Sequence, residues 1–169
     1  MENILLVCFN FLFYLAVIGP ITTFIHELGH ALIMLGLTGN KVSITLGGEG
    51  KSVLQWNTRR LNITIHIFSG WIGYTSYENN EIVKKSNMFL YYIFGPLFSL
   101  TTAIIFLLLQ NSISNSVIIY IFKFITMASF IQFLFTIIPM NYNKFLGGKY
   151  YNRSDGMKIK ELLFSTDQT

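Results

Sequence analysis

Residues 4–37 read ILLVCFNFLFYLAVIGPITTFIHELGHALIMLGL, an apolar run with one acidic residue, Glu27, and no lysine or arginine. At 1.5 Å per residue, about 34 residues form a helix of about 50 Å, whereas the hydrocarbon core of a bilayer is about 30 Å thick. The run therefore predicts a membrane-spanning helix that tilts or bends. Gly19-Pro20 is the position at which we expect a kink, because proline breaks the helical hydrogen-bond pattern.

The composition of the whole chain also favours an integral membrane protein. Of the 169 residues, 52% are hydrophobic and 12% are charged, about half of the roughly 25% charged residues that soluble domains carry. The net charge of +4 comes mostly from lysines and arginines between apolar runs, and there is no basic stripe of the kind that binds nucleic acid. The single cysteine, Cys8, excludes an intrachain disulfide.

Two further apolar runs, at about 88–109 and 117–139, have the length of membrane-spanning helices. Residues 41–67, between the first and second runs, are strand-like and predict a hairpin around a glycine-rich turn followed by a third strand. Residues 68–77 are apolar and aromatic, and we interpret them as interfacial or re-entrant. The predicted fold class is a membrane α-helical protein with about three transmembrane helices and a small membrane-associated β-sheet between the first and second.

The basic residues predict the orientation in the membrane. Apart from Lys123 within the third run, they lie between the first and second runs and in the C-terminal segment 141–169, and they are absent from the N-terminal tip and the loop 110–116. Because positive residues mark the cytoplasmic side, the N-terminus is predicted outside and the C-terminal segment in the cytoplasm. We expect one integral-membrane domain over 1–169, in contact with the lipid bilayer. A composition rich in Ile, Asn, Phe and Lys favours a bacterial cell membrane.

A motif within the first run indicates the chemistry, and it reads His26-Glu27-Leu28-Gly29-His30. Residues four apart share a helix face, so both imidazoles can bind one metal ion. Glu27 is placed to take a proton from a water that the metal activates, as in H-E-x-x-H zinc peptidases. A carboxylate at membrane depth is costly and indicates a function. The motif predicts one Zn2+ per chain, and the alternative is a polar cavity without a metal.

A catalytic zinc site normally takes three protein ligands, so the chain needs a third one. His66 is one candidate, and its alternative is a partly buried histidine on a strand. Asp155 is the other candidate and the preferred one. It follows the third run and precedes a stretch that favours a short helix, so its alternative role is that of a helix N-cap. The residues alone support ligand and N-cap equally.

These motifs, taken together, resemble the site-2 protease family of membrane-embedded zinc metalloproteases. The motif at 26–30 ends an N-terminal span, strands follow it, and Gly95-Pro96 lies within the second apolar run. Pro139 follows the third run and precedes Asp155-Gly156, as in the Asn-x-x-Pro and Asp-Gly motifs of that family. The resemblance covers nearly the whole chain with the motifs in the family's order.

The resemblance implies roles for residues outside the first run. It implies that Asp155 is the third zinc ligand and that three residues position the substrate: Gly95, Pro96 and Thr136. Thr136 stands where the family often carries asparagine, and the interval from Pro139 to Asp155 is longer than in the best-known members. The alternative role of Gly95-Pro96 is to kink the second run for packing.

The implied activity is that of an intramembrane zinc metalloprotease, which hydrolyses peptide bonds in or near transmembrane segments of membrane proteins. Glu27 is then the general base, and the substrate needs a segment that unwinds, because a helix shields its carbonyls. The strands are expected either to pair with that segment or to cover the cytoplasmic mouth of the site. One alternative is a non-proteolytic binding or chaperone protein with the same fold. Another is a small transporter, which predicts several ionisable residues in the later runs, where only Lys123 is found.

Overall fold

The computed structural model describes residues 2–48, 51–66, 72–78, 83–142 and 153–164. Its elements are, in chain order, α1 (Glu2–Phe13), a π-helical segment (Tyr14–Ile18), α2 (Gly19–Leu37), β1 (Val42–Leu46), β2 (Ser52–Asn57), β3 (Leu61–His66), β4 (Gly73–Tyr77), α3 (Lys85–Leu109), a 3-10 turn (Gln110–Ser112), α4 (Ser116–Ile137) and α5 (Asp155–Phe164). The described chain is thus a long N-terminal helix, a small sheet, two further long helices and a short helix.

Three helical stretches among the described residues are long and apolar enough to cross a membrane: Ile4–Leu37, Lys85–Ser112 and Ser116–Ile137. They confirm the predicted number of spanning-length helices and the position of the strands between the first and the second. Helix α4, the third of these stretches, ends at Ile137 and not at Pro139 as predicted, because the residue before a proline disfavours the helical conformation. Ile138 accordingly has an extended backbone.

The first helix changes its geometry next to the predicted kink. Tyr14–Ile18 is π-helical and runs directly into Gly19, whose N–H donates to the carbonyl of Tyr14. Pro20 lies in the first turn of α2 and has no N–H to offer the preceding turn, so the widened turn lies on its N-terminal side. Ile18, at the end of this segment, is buried against Ile125 of α4.

The four strands form one sheet in the order β2-β3-β1-β4. The predicted hairpin between the first two strands is wrong, because β1 pairs in parallel with β3 and antiparallel with β4, while β2 pairs with β3. The physical reason is burial. Every second residue of β1 is buried, as befits a central strand, whereas β2 is exposed along nearly its whole length and suits a sheet edge.

The last strand falls in a segment with another predicted structure. Of residues 68–77, which we interpreted as interfacial or re-entrant, Gly73–Tyr77 form β4, an edge strand of the sheet. Residues 67–71 lie outside the described residues. The third predicted strand is confirmed and corresponds to β3.

The apolar face of the sheet packs on α2, the helix that carries the histidine motif. Three buried residues of β1 share this face: Val42, Ile44 and Leu46. They form one core cluster with Ala31 and Met34 of α2. Arg60, just before β3, donates to the carbonyls of Leu35, at 2.8 Å, and of Thr38. These carbonyls at the end of α2 need a donor, so Arg60 fixes the sheet to the end of that helix.

Candidate metal centre

Three buried side chains from distant parts of the chain meet at one point. Asp155 Oδ2 lies 3.2 Å from His26 Nε2 and 3.3 Å from His30 Nε2, and the two nitrogens are 3.2 Å apart. A tetrahedral zinc ion with bonds of about 2.0–2.1 Å separates its ligand atoms by about 3.3 Å. The triangle of donor atoms therefore has the size of one face of a tetrahedral site, and this group could hold a metal ion.

The orientation of both histidines is fixed from α3. His30 Nδ1 lies 2.6 Å from the Tyr91 carbonyl oxygen, which can only accept, so Nδ1 carries a proton, and in the neutral ring Nε2 keeps its lone pair. His26 Nδ1 lies 2.9 Å from the Ser99 hydroxyl oxygen. Both rings thus direct Nε2 towards Asp155. Metal-binding histidines are usually held in this way, through the ring nitrogen that does not bind the metal.

The carboxylate completes a donor set that suits a cation. Burial by itself raises the pKa of Asp155, but the interactions with His30 and His26 more than reverse this and hold that pKa well below its ordinary value. Asp155 Oδ1 lies 3.6 Å from Lys158 Nζ on the next turn of α5, so Oδ2 is the oxygen that faces the rings. At 3.3 Å, Asp155 Oδ2 and His30 Nε2 attract each other when a proton or a metal cation lies between them.

Ser154 determines the position from which Asp155 reaches the histidines. The Ser154 hydroxyl donates to the carbonyl of Ile138, at 2.7 Å, and accepts from the N–H of Met157, at 3.1 Å. Ser154 is therefore the N-cap of α5, the alternative role that we considered for Asp155. Gly156 follows so close to the end of α4 that a Cβ there would collide with a backbone carbonyl. The predicted short helix is confirmed, and its first residue points into the cluster.

Glu27 is buried beside the histidines and is held by the sheet. The Thr75 hydroxyl of β4 lies 2.8 Å from Glu27 Oε2 and 3.0 Å from the Glu27 carbonyl oxygen. The Tyr91 hydroxyl donates to the carbonyl of Thr75, at 2.7 Å. The edge strand β4 is thereby tied to α2 and α3 at the level of the histidines, and the carboxylate of Glu27 has a fixed direction.

The other predicted site residues lie in different surroundings. Gly95 lies against the ring of His30, so close that a Cβ would collide with the ring atoms, and Pro96 is buried beside it in α3. The substrate-positioning role implied for the pair stays a prediction. The Thr136 hydroxyl donates to a carbonyl of its own helix, at 2.8 Å. His66 lies on β3, outside the group of three donors.

Replacing Gly95 with alanine is expected to lower the affinity for a metal ion by about 10- to 100-fold, the range seen when supports of metal ligands are removed. The added methyl group needs the space of the His30 ring and turns its Nε2 away. Gly36→Ala on α2 is the matched control, because a Cβ at Gly36 has nothing within 4 Å. Competition with a chromophoric chelator measures both variants, and equal affinities would contradict the expectation.

Four residues that orient Glu27, the two histidines or Asp155 were not predicted from the sequence: Thr75, Tyr91, Ser99 and Ser154. Ser99 carried a usable signal, because it is a polar residue within an apolar run, eight positions after Tyr91 and so on the same helix face. Thr75 and Ser154 had none, since hydroxyl residues are common on strands and at helix starts. Tyr91 contributes a backbone carbonyl, which any residue type provides.

Comparison with known proteins leaves the resemblance untested. No protein-family model matches the chain, and no curated protein matches its sequence. The relation to the site-2 protease family therefore rests on the motifs and stays a prediction.

Proposed function

We propose that this chain is an intramembrane zinc metalloprotease that hydrolyses peptide bonds in or near transmembrane segments of membrane proteins. The observation that carries the proposal is the meeting of His26, His30 and Asp155 at tetrahedral spacing, with Glu27 buried beside them. Two of these donors and Glu27 belong to a stretch, Ile4–Leu37, with the length and composition of a membrane span. Costly polar groups in such a stretch support a catalytic role.

Zinc is the metal that this donor set fits best. Two imidazoles and a carboxylate form a ligand set of catalytic zinc sites, which keep a fourth position open. His26, His30 and Asp155 would hold the ion through the atoms that face one another, one ion per chain. When bound, zinc supplies Lewis-acid chemistry, which acidifies water and polarises a carbonyl group.

Glu27 moves the proton in this proposal. Its carboxylate takes a proton from the attacking water while the water oxygen forms a bond to the peptide carbonyl carbon. The protonated Glu27 carboxyl group then gives the proton to the leaving nitrogen as the carbon–nitrogen bond breaks. The Thr75 hydroxyl donates a hydrogen bond to Oε2. Oε1 is therefore the carboxylate oxygen assigned to the proton transfer. The hydrogen bond from Tyr91 to the backbone of Thr75 keeps this arrangement rigid.

The substrate is a membrane protein with a segment that unwinds. A helix uses its carbonyls internally, so only an extended stretch exposes a peptide bond to Glu27. Support for this comes from β4, which is an edge strand of the sheet and contacts Glu27 through Thr75. An extended substrate segment beside β4 gains backbone hydrogen bonds next to the proton-transfer group. The distribution of basic residues supports a cytoplasmic position for this end of α2, and a bacterial cell membrane is the proposed location.

Reconstitution in liposomes with a single-span reporter protein tests the proposal. We expect cleavage within or next to the reporter's span, identified from the masses of the two products. Removal of metal by a chelator abolishes the cleavage, and stoichiometric Zn2+ restores it, because peptide hydrolysis depends on the Lewis acid. Cleavage that persists in metal-free protein would contradict the proposal. A zinc-loaded protein that binds several reporters and cuts none would favour the non-proteolytic binding protein.

A further inference from the structure

We propose that Ser99 is a positioning residue for His26, and that its hydroxyl lets His26 exchange its tautomer between the metal-free and the metal-loaded protein. This inference rests on the proposed role of His26 as a metal ligand. It starts from the spacing of three residues on α3, Tyr91, Gly95 and Ser99, which lie four positions apart and therefore on one helix face. Each of them touches a ring of the histidine motif.

The contact of α3 with His30 allows a single tautomer. The partner of His30 Nδ1 is the Tyr91 carbonyl, which has no proton to give, at 2.6 Å. A neutral His30 therefore carries its proton on Nδ1 whether or not a metal is bound. Gly95 packs against the same ring. His30 thus offers Nε2 to a metal whenever its ring is neutral.

The contact of α3 with His26 allows two tautomers, because a hydroxyl both donates and accepts. If Ser99 donates to Nδ1, the proton of His26 lies on Nε2, which faces Asp155 Oδ2 at 3.2 Å and can donate to it. If Nδ1 donates to Ser99, the lone pair on Nε2 is free for a metal. The ring stays in place in both cases, and only the proton and the hydroxyl rotate. The contact between Ser99 and His26 is thereby kept in both states, and loading with a metal needs no movement of the ring.

The competing explanation is that Ser99 fills space between two helices. Ser129 on α4 separates the two explanations, because both serines are buried to the same degree, each with 1% exposed area. The Ser129 hydroxyl has no hydrogen-bond partner in the described part of the chain, whereas that of Ser99 contacts His26. The same serine-to-alanine change therefore removes packing volume at both positions and a histidine contact at only one.

Zinc affinity in detergent-purified full-length protein tests the inference. Ser99→Ala is expected to bind Zn2+ about 10- to 100-fold more weakly than the wild type, as for other supports of metal ligands, and Ser129→Ala to bind within about twofold. Ser99→Thr keeps the hydroxyl and is expected to recover most of the affinity. Equal affinities of Ser99→Ala and Ser129→Ala, with zinc bound by the wild type, would overturn the inference and leave the proposed function in place. A wild type that binds no zinc would overturn the proposed function itself.

Nitrogen NMR of the imidazoles reports which ring nitrogen carries the proton. A serine that only filled space would not change this result. The chain has three histidines, and His66→Gln leaves the two of the motif. His30 is expected to carry a proton on Nδ1 with and without Zn2+. His26 is expected to change from Nε2–H to Nδ1–H when Zn2+ is added, and its Nδ1 resonance is expected to shift in Ser99→Ala, because the hydroxyl next to Nδ1 is then gone. A single His26 tautomer in both metal states would overturn the inference even if every serine variant failed to fold.

Discussion

Replacing Asp155 with alanine is expected to lower the affinity for Zn2+ by more than about 100-fold, beyond the effect of removing a residue that only supports a ligand. The substitution takes away the one anionic donor, whose Oδ2 lies 3.2 and 3.3 Å from the two histidine nitrogens. Two neutral imidazoles then remain, and they do not hold zinc against a competing chelator. The zinc content of detergent-purified protein after dialysis measures the effect.

The controls for this experiment are two histidine variants. His26→Ala is expected to lose zinc as Asp155→Ala does, whereas His66→Ala on β3 is expected to keep one ion per chain. Helix content and thermal unfolding of each variant separate loss of metal from loss of fold. If Asp155→Ala kept its zinc and His66→Ala lost it, the third ligand would be His66. The triangle of donors seen in the structure would then serve another purpose.

Sequence patterns could predict the parts of this protein that depend on neighbours along the chain. A spanning helix needs only a long apolar run, and the histidine pair of the motif needs only a spacing of four residues. Asp155 is different, because it lies 129 positions from His26. It was preferred over His66 from its position after the third run, and the resemblance implied the same choice. The bonds of Ser154 that fix the start of α5 on the end of α4 connect residues that no pattern relates.

The sheet shows the same limit at the level of strands. Alternating polar and apolar residues identify a strand but do not name its partner. The hairpin prediction assumed that neighbours in sequence pair, yet β1 takes β3 and β4 as neighbours because its buried residues need a covered position at the sheet centre. This order has a functional consequence, since it leaves β4 at the edge, where Thr75 reaches Glu27.

Replacing Glu27 with glutamine is expected to abolish peptide cleavage and to leave zinc binding within about threefold of the wild type. General acid–base catalysis contributes about 10²- to 10⁴-fold, so the cleavage rate should fall at least 100-fold. An amide has nearly the size of the carboxylate, and its oxygen still accepts the hydrogen bond from Thr75, which lies 2.8 Å from Glu27 Oε2. The lost property is the capacity to take up a proton.

Thr75→Val serves as the graded control, because it removes the hydroxyl that directs the carboxylate and keeps the carboxylate itself. We expect a smaller loss of cleavage than in Glu27→Gln, again with zinc retained. Cleavage of the liposome reporter and zinc content are measured on the same preparations, so that each rate refers to metal-loaded protein. If the Glu27→Gln variant cleaved the reporter at the wild-type rate, Glu27 would be excluded as the general base. Glu27 is the only acidic residue of the apolar stretch from Ile4 to Leu37. The free-energy cost of placing a carboxylate at that membrane depth would then need another explanation.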